Sequence, residues 1–121
     1  MSKQNLEITD HCLELMKGLK DTQDLLRGKW KVVIIQTLNY GHVLNFGELK
    51  YYITNISAKV LTQELKDLEQ NLLIKREETT SKPMTVNYSL SELGKSLFEI
   101  LQLMSHWGVE YRKTVFKKED D

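Results

Sequence analysis

The stretch from Glu92 to about Lys117 constrains this chain most: Leu93, Leu97, Ile100, Met104, Trp107 and Tyr111 recur every three or four residues, and Phe98, Leu101 and Leu103 fill the gaps between them. At about 100° per residue this predicts a long helix, capped by Ser91, that is apolar nearly all round. Such a helix must be covered on every side, yet 121 residues with 40% hydrophobic content make one core, not two. One protomer therefore leaves part of the helix bare, and the expected remedy is a second copy packed across a two-fold axis. The side chains expected at that seam are Leu97, Leu101, Met104, Trp107 and Tyr111, joined by Leu13 and Met16 from a first helix over Leu6 to Leu19.

Elsewhere the apolar runs are short, such as Val32 to Ile35 and Val43 to Leu44, far below the roughly 20 residues of a membrane helix. The start, interrupted by Lys3, Glu7, Asp10 and Glu14, is not patterned as an export signal. A cytoplasmic location without a membrane partner is the expectation. A single cysteine, Cys12, leaves no pair for an internal disulfide or a zinc finger, and His11, His42 and His106 have no ligand spacing, so no metal or cofactor is expected. The chain has no phosphate-cradling glycine loop, no Ser/His/Asp or Cys/His set and no patterned carboxylate pair. No catalytic residue is assigned, and an enzyme is not expected.

The middle of the chain is more specific. A second helix is expected over Leu25 to Leu38, begun or interrupted near Gly28. The run Asn39-Tyr40-Gly41-His42 then supplies turn chemistry, with Gly41 and Asn39 suited to positive φ. Phe46, Leu49 and Ile53 space a short helix, and Ser57 caps another in which Leu61, Leu65, Leu68 and Leu72 form one narrow face. Two helices joined by a short turn make a helix-turn-helix. Leu73 to Glu77, a polar tip from Glu78 to Pro83, and Thr85 to Ser89 then read as a β-hairpin, which in this position is a wing. The expected fold is mainly α with a small β-hairpin wing.

These blocks resemble the HxlR-type winged helix-turn-helix regulators, which are related in architecture to the MarR type. The likeness runs through Gly28-Lys29-Trp30, Phe46-Gly47-Glu48-Leu49, Ile56 to Glu69, Leu73-Ile74-Lys75-Arg76, Tyr88 to Gly94 and Trp107-Gly108, over roughly residues 25 to 112. It implies a dimeric, DNA-binding transcriptional regulator with its recognition helix in the major groove. With the first and last helices read from their apolar spacing, the expected organisation is one domain over 1–121: a dimerisation helix at 1–24, a DNA-binding core at 25–90 with the wing at about 73–89, a dimerisation helix at 91–117, and a flexible tail at 118–121. Two glycines usual in that family are replaced, by Asn55 in the turn and by Leu72 after the recognition helix, where Asn71 is expected to end the helix. Family members that sense oxidants use a cysteine whose place here falls near Lys17 and Gly18, about five residues beyond Cys12.

Charge is distributed accordingly. Arg27 to Lys66 holds six basic and two acidic residues within a chain of zero net charge, which favours phosphate contact in the helix-turn-helix. Opposite the leucine face of the recognition helix lie Lys59, Gln63 and Lys66, with Thr62 on the flank. Lys59 is expected to meet guanine O6/N7, Gln63 to pair bidentately with adenine, and Lys66 to meet phosphate. Ser57 serves as cap and as a phosphate contact, Arg76 and Lys82 flank and tip the wing, and Arg27, Lys29 and Lys31 are backbone contacts of the second helix. The partners expected are an operator duplex, a second copy of the chain and an unidentified small-molecule effector. Two alternatives stay open: a winged-helix module for protein association, and a thiol-based sensor of oxidants or electrophiles through Cys12, a residue better explained as a small hydrophobe on an apolar stripe.

Overall fold

The computed structural model describes residues 7–117. The elements run α1 (Asp10–Leu25), α2 (Trp30–Gly41), β1 (Leu44–Asn45), α3 (Phe46–Tyr52), α4 (Ala58–Gln70), β2 (Ile74–Glu78), β3 (Val86–Leu90) and α5 (Glu92–Val115). The strands form one antiparallel sheet in the order β1-β3-β2, with Leu44 opposite Tyr88 and Ile74 opposite Leu90. This is the mainly helical, winged architecture that the sequence predicts. The expected tail at 118–121 and the start of helix one at Leu6 lie outside the described residues.

All the helices except α2 begin where the sequence offers a side-chain oxygen to their free amides. Thr9 accepts from Cys12 N, Ser57 from Val60 N and Ser91 from Gly94 N, while Asn45 and Glu48 cap α3 reciprocally. The core then closes from one row per element. Ile34, Ile35 and Leu38 of α2 meet Leu49 of α3 and Ile53 just beyond it, Leu61, Leu65 and Leu68 of α4, Leu73 and Ile74 entering β2, and Leu97, Phe98 and Leu101 of α5.

Four expectations need correction. Helix one continues to Leu25 and helix two starts at Trp30, because Gly28 takes a φ of 86° between them. The next turn falls later than expected: Asn39 and Gly41 are helical, and the positive φ sits on His42 (φ 67°, ψ −69°), with Val43 N–H donating to the Gly41 carbonyl at 2.9 Å as in a γ-turn. Gly41 matters for a different reason: a Cβ there would stand 2.7 Å from Leu44 Cδ1, so the buried Leu44 side chain would have to move.

At the end of α4, Asn71 is the C-cap, but the left-handed residue is Leu72 at φ 63°. Leu73 N–H donates to the Leu68 carbonyl and Leu72 N–H to that of Glu69, both at 3.0 Å, which is a Schellman turn with leucine where glycine usually stands. Leu72 therefore leaves the apolar face, 71% exposed, and Leu73 is buried in its stead. Finally, Leu97 and Leu101, expected at a dimer seam, are 8% and 4% exposed within the protomer and belong to its own core. They lie on the half of α5 that packs against α2, so their surface is already used.

The remaining seam residues stay bare. Leu13, Met16, Met104, Trp107 and Tyr111 are all between 46% and 69% exposed, and α1 buries none of its residues. The Trp107 and Tyr111 rings stack on each other at 5.3 Å in the open.

Candidate nucleic-acid interface

The turn between α3 and α4 is held by its flanks: Ile53 and Ile56 are buried on either side, and Asn55 supplies the positive φ of 69° between them. With Leu61, Leu65 and Leu68 fixed in the core, helical periodicity leaves Lys59, Thr62, Gln63 and Lys66 exposed on the outer side of α4. Two of these are already engaged locally. Thr62 Oγ1 donates to the Ala58 carbonyl at 2.8 Å, and Gln63 Nε2 donates to Asp67 Oδ1 at 3.1 Å. The Ser57 hydroxyl, besides capping Val60, stays exposed beside the first amides of the helix.

Lys31 is not a backbone contact. Its ammonium turns inward to Glu64 Oε1 at 2.7 Å and to Asp67 Oδ2 at 3.6 Å, with its side chain only 12% exposed, so it ties α2 to α4. The sequence carried a signal for this: Lys31 precedes Ile34, Ile35 and Leu38 at the spacing of the inner face of α2. Arg27 pairs with Asp24 at 3.5 Å, and the ammonium of Lys29 stands 4.7 Å from the centroid of the half-buried Trp30 ring. Among the described residues, Lys50, Lys59 and Lys66 are the cations of the helix-turn-helix without an ion pair.

In the wing, Arg76 donates to Glu78 Oε1 at 3.0 Å, and this bond, followed by one with Tyr88, holds the guanidinium above its ordinary basicity. Arg76 thus carries its own counter-ion. Lys82 stands exposed at the wing tip. At the end of α3, Tyr51 and Tyr52 are 81% and 62% exposed and meet edge to face at 5.2 Å, an aromatic pair that no periodic pattern of the sequence marks. Behind them, Thr37, Tyr40, Gly41, Leu44 and Tyr52 line an open cleft of about 470 Å³.

Cys12 is half-buried in the first turn of α1, not sunk in an apolar stripe. Thr9 Oγ1 donates to its sulfur at 3.3 Å, and this side-chain bond is the main cause that pulls the thiol below the ordinary cysteine range. His11, His42 and His106 join no group of three or more metal-ligating side chains among the described residues.

Comparison with known proteins agrees with this fold. The family model for HxlR-like helix-turn-helix proteins matches residues 25–116. The HTH-type transcriptional regulator YdzF of Bacillus subtilis is 39% identical over 98 residues, which cover 81% of this chain and 90% of that protein. A solved structure from Enterococcus faecalis assigned to the MarR family superposes with a TM-score of 0.76 at 27% identity, covering 91% of this chain and 96% of its own. The redox regulator HypR in its reduced form superposes with a TM-score of 0.74 at 30% identity, covering 84% and 98%.

Proposed function

The chain belongs to the HxlR-like helix-turn-helix family of DNA-binding transcriptional regulators, and on that premise we propose that it acts as a homodimer on a pseudo-palindromic operator, as a repressor or autoregulator in the cytoplasm. Half-sites about one helical turn apart, or somewhat more, suit a two-fold pair of recognition helices. The observation that carries this reading is the division of α4 into a buried leucine row and a bare row of Lys59, Thr62, Gln63 and Lys66.

In this reading Lys59, Thr62 and Gln63, nearest the helix N-terminus, meet base edges, and Lys66 meets phosphate. Ser57 and the first amides of α4 hold a second phosphate, since a helix N-terminus favours an anion. Lys82 reaches the duplex from the wing tip, with Lys29 and Arg76 as outer backbone contacts. Leu13, Met16, Met104, Trp107 and Tyr111 form the seam between protomers, which would cover the apolar surface that α1 and α5 leave bare. The cleft lined by Tyr40 and Tyr52 has room for a small-molecule effector.

Two rivals remain distinguishable. Thiol sensing is favoured by the lowered thiol of Cys12 and by the likeness to a redox regulator. A protein-association module is disfavoured, because it would expose an acidic or apolar row on α4 in place of the lysines.

The test is selection from a random duplex pool, followed by titration against salt. The expected result is a palindrome bound with steep salt dependence. Lys59→Ala with Gln63→Ala should abolish specific binding while the dimer persists. Unchanged affinity in that double variant would remove the base-contact assignment.

A further inference from the structure

The amide of Gln63 does not hang free on the outer face of α4. It donates from Nε2 to Asp67 Oδ1 at 3.1 Å, and an ionised carboxylate can only accept, so the nitrogen end must be the one that faces Asp67. Asp67 is held in turn. Its other oxygen, Oδ2, lies 3.6 Å from Lys31 Nζ, and that ammonium is anchored on Glu64 Oε1 at 2.7 Å with both side chains about one-eighth exposed (12% and 13%). A continuous polar chain, Glu64 to Lys31 to Asp67 to Gln63, thus runs from the α2–α4 contact to the outer row of α4.

Resting on the reading of α4 as the base-reading helix, we infer that the Lys31–Asp67 pair fixes the sense of the Gln63 amide and thereby sets which base Gln63 accepts. An untethered glutamine turns its amide over freely and meets a base edge with oxygen or nitrogen in either order. The tethered amide keeps one Nε2 hydrogen on Asp67 and offers Oε1 beside the second hydrogen, an acceptor next to a donor. Adenine is the base whose major-groove edge answers both, with N6–H as donor and N7 as acceptor. Guanine O6 and N7 and thymine O4 can accept only the second Nε2 hydrogen and leave Oε1 unanswered, and cytosine N4 can answer only Oε1. Thr62 reinforces the preference, because its hydroxyl hydrogen is committed to the Ala58 carbonyl and its lone pairs turn outward. Lys31 and Asp67 are then positioning residues that touch no base and still decide specificity.

The experiment compares sequences selected from a random duplex pool by the full chain and by Gln63→Ala, Asp67→Ala and Asp67→Asn, with thermal unfolding run alongside. Asp67 is 35% exposed, and the Asn substitution is isosteric, so at least that variant keeps the fold. Gln63→Ala identifies the position concerned as the one whose preference disappears, and the unsubstituted chain should select adenine there. Asp67→Ala should reduce that preference about tenfold, the scale of one charge-assisted hydrogen bond, and leave the other positions alone. Asp67→Asn should change the base chosen: the new carboxamide turns its oxygen to Lys31 and its NH2 to Gln63, which reverses the glutamine amide. Selection of the same base with the same preference by both Asp67 variants overturns the inference alone, as does a base other than adenine in the unsubstituted chain, whereas a site with no position sensitive to Gln63→Ala removes Gln63 from the base-reading row and the inference with it. Failure of the unsubstituted chain to select any sequence overturns the base-reading role of α4 and the inference with it.

Discussion

Lys31 and Glu64 are 33 residues apart in sequence and 2.7 Å apart in space, and their side chains are only 12% and 13% exposed. With the longer Lys31–Asp67 contact, the pair forms a polar strut between α2 and α4 beside the buried aliphatic side chains of the two helices. Lys31→Met should cost about 2–3 kcal/mol, because it leaves the Glu64 carboxylate largely dehydrated without a counter-ion. Adding Glu64→Leu should restore most of the loss, since an apolar pair of similar volume replaces the ion pair at little cost. Urea unfolding of the three proteins checks this. A double variant no more stable than Lys31→Met would show that packing, not charge, makes this contact.

Leu72 holds a left-handed conformation with its side chain in water, so the fold gains nothing from the leucine and bears its backbone strain. Leu72→Gly should raise stability by about 1 kcal/mol, and Leu72→Ala should not, because any Cβ is strained at positive φ. The urea midpoints of the two variants decide it. Equal midpoints would mean that the Schellman turn tolerates a side chain at no cost.

The fold was legible in this sequence wherever periodicity and capping agree. Ser57, Ser91 and the leucines of α4 mark the ends and the inner face of their helices without help from tertiary structure. Burial was less legible. Leu97 and Leu101 share the spacing of Trp107 and Tyr111, and a periodic pattern does not say at which residue the protomer's own cover stops. The candidate site divides in the same way. The outward row of α4 follows from the helical period alone, whereas the Lys31 and Asp67 contacts depend on how α2 crosses α4, which local spacing does not encode. The positive φ at His42 falls one residue beyond Gly41, and Leu72 leaves the apolar row, because both positions carry side chains at angles where glycine or asparagine is the default expectation.

Trp107 is 69% exposed in the protomer and stacked on Tyr111. If the second copy covers this end of α5, Trp107→Glu should convert the dimer to a folded monomer, since the substitution buries a charge only at the seam. Sedimentation velocity reads the mass, and circular dichroism confirms that the helices persist. A variant that remains dimeric would move the interface elsewhere.

The Cys12 thiol is held below the ordinary cysteine range, first by the Thr9 side-chain hydrogen bond and then by its backbone bond to the same residue. Its alkylation rate should therefore rise with pH at a lower midpoint than that of an unperturbed thiol, since the thiolate is the reacting form. Thr9→Val should move the midpoint up and slow the reaction at neutral pH, while Thr9→Ser, which retains a hydroxyl, should not. The downward shift also fixes the sign of its linkage to folding: the contribution is present above the pKa of the unfolded thiol and is lost as pH falls through the folded one. An identical midpoint in Thr9→Val would assign the shift to the helix terminus alone.

The root of α5 is welded to the end of α4. Ser91 Oγ donates to the Leu72 carbonyl at 2.6 Å, Ser91 N–H donates to that of Leu73 at 3.0 Å, and a Cβ on the buried Gly94 would collide with the same Leu73 oxygen. From that joint a rod of 24 residues extends, about 36 Å at about 1.5 Å per residue. In a two-fold pair, such rods behave as the arms of a caliper: a small swing where they cross alters the gap between the two reading heads. Whatever disturbs the crossing, whether a bound molecule or a modified side chain, would thus be measured by the duplex as a change of span, with no part of the reading heads needing to unfold.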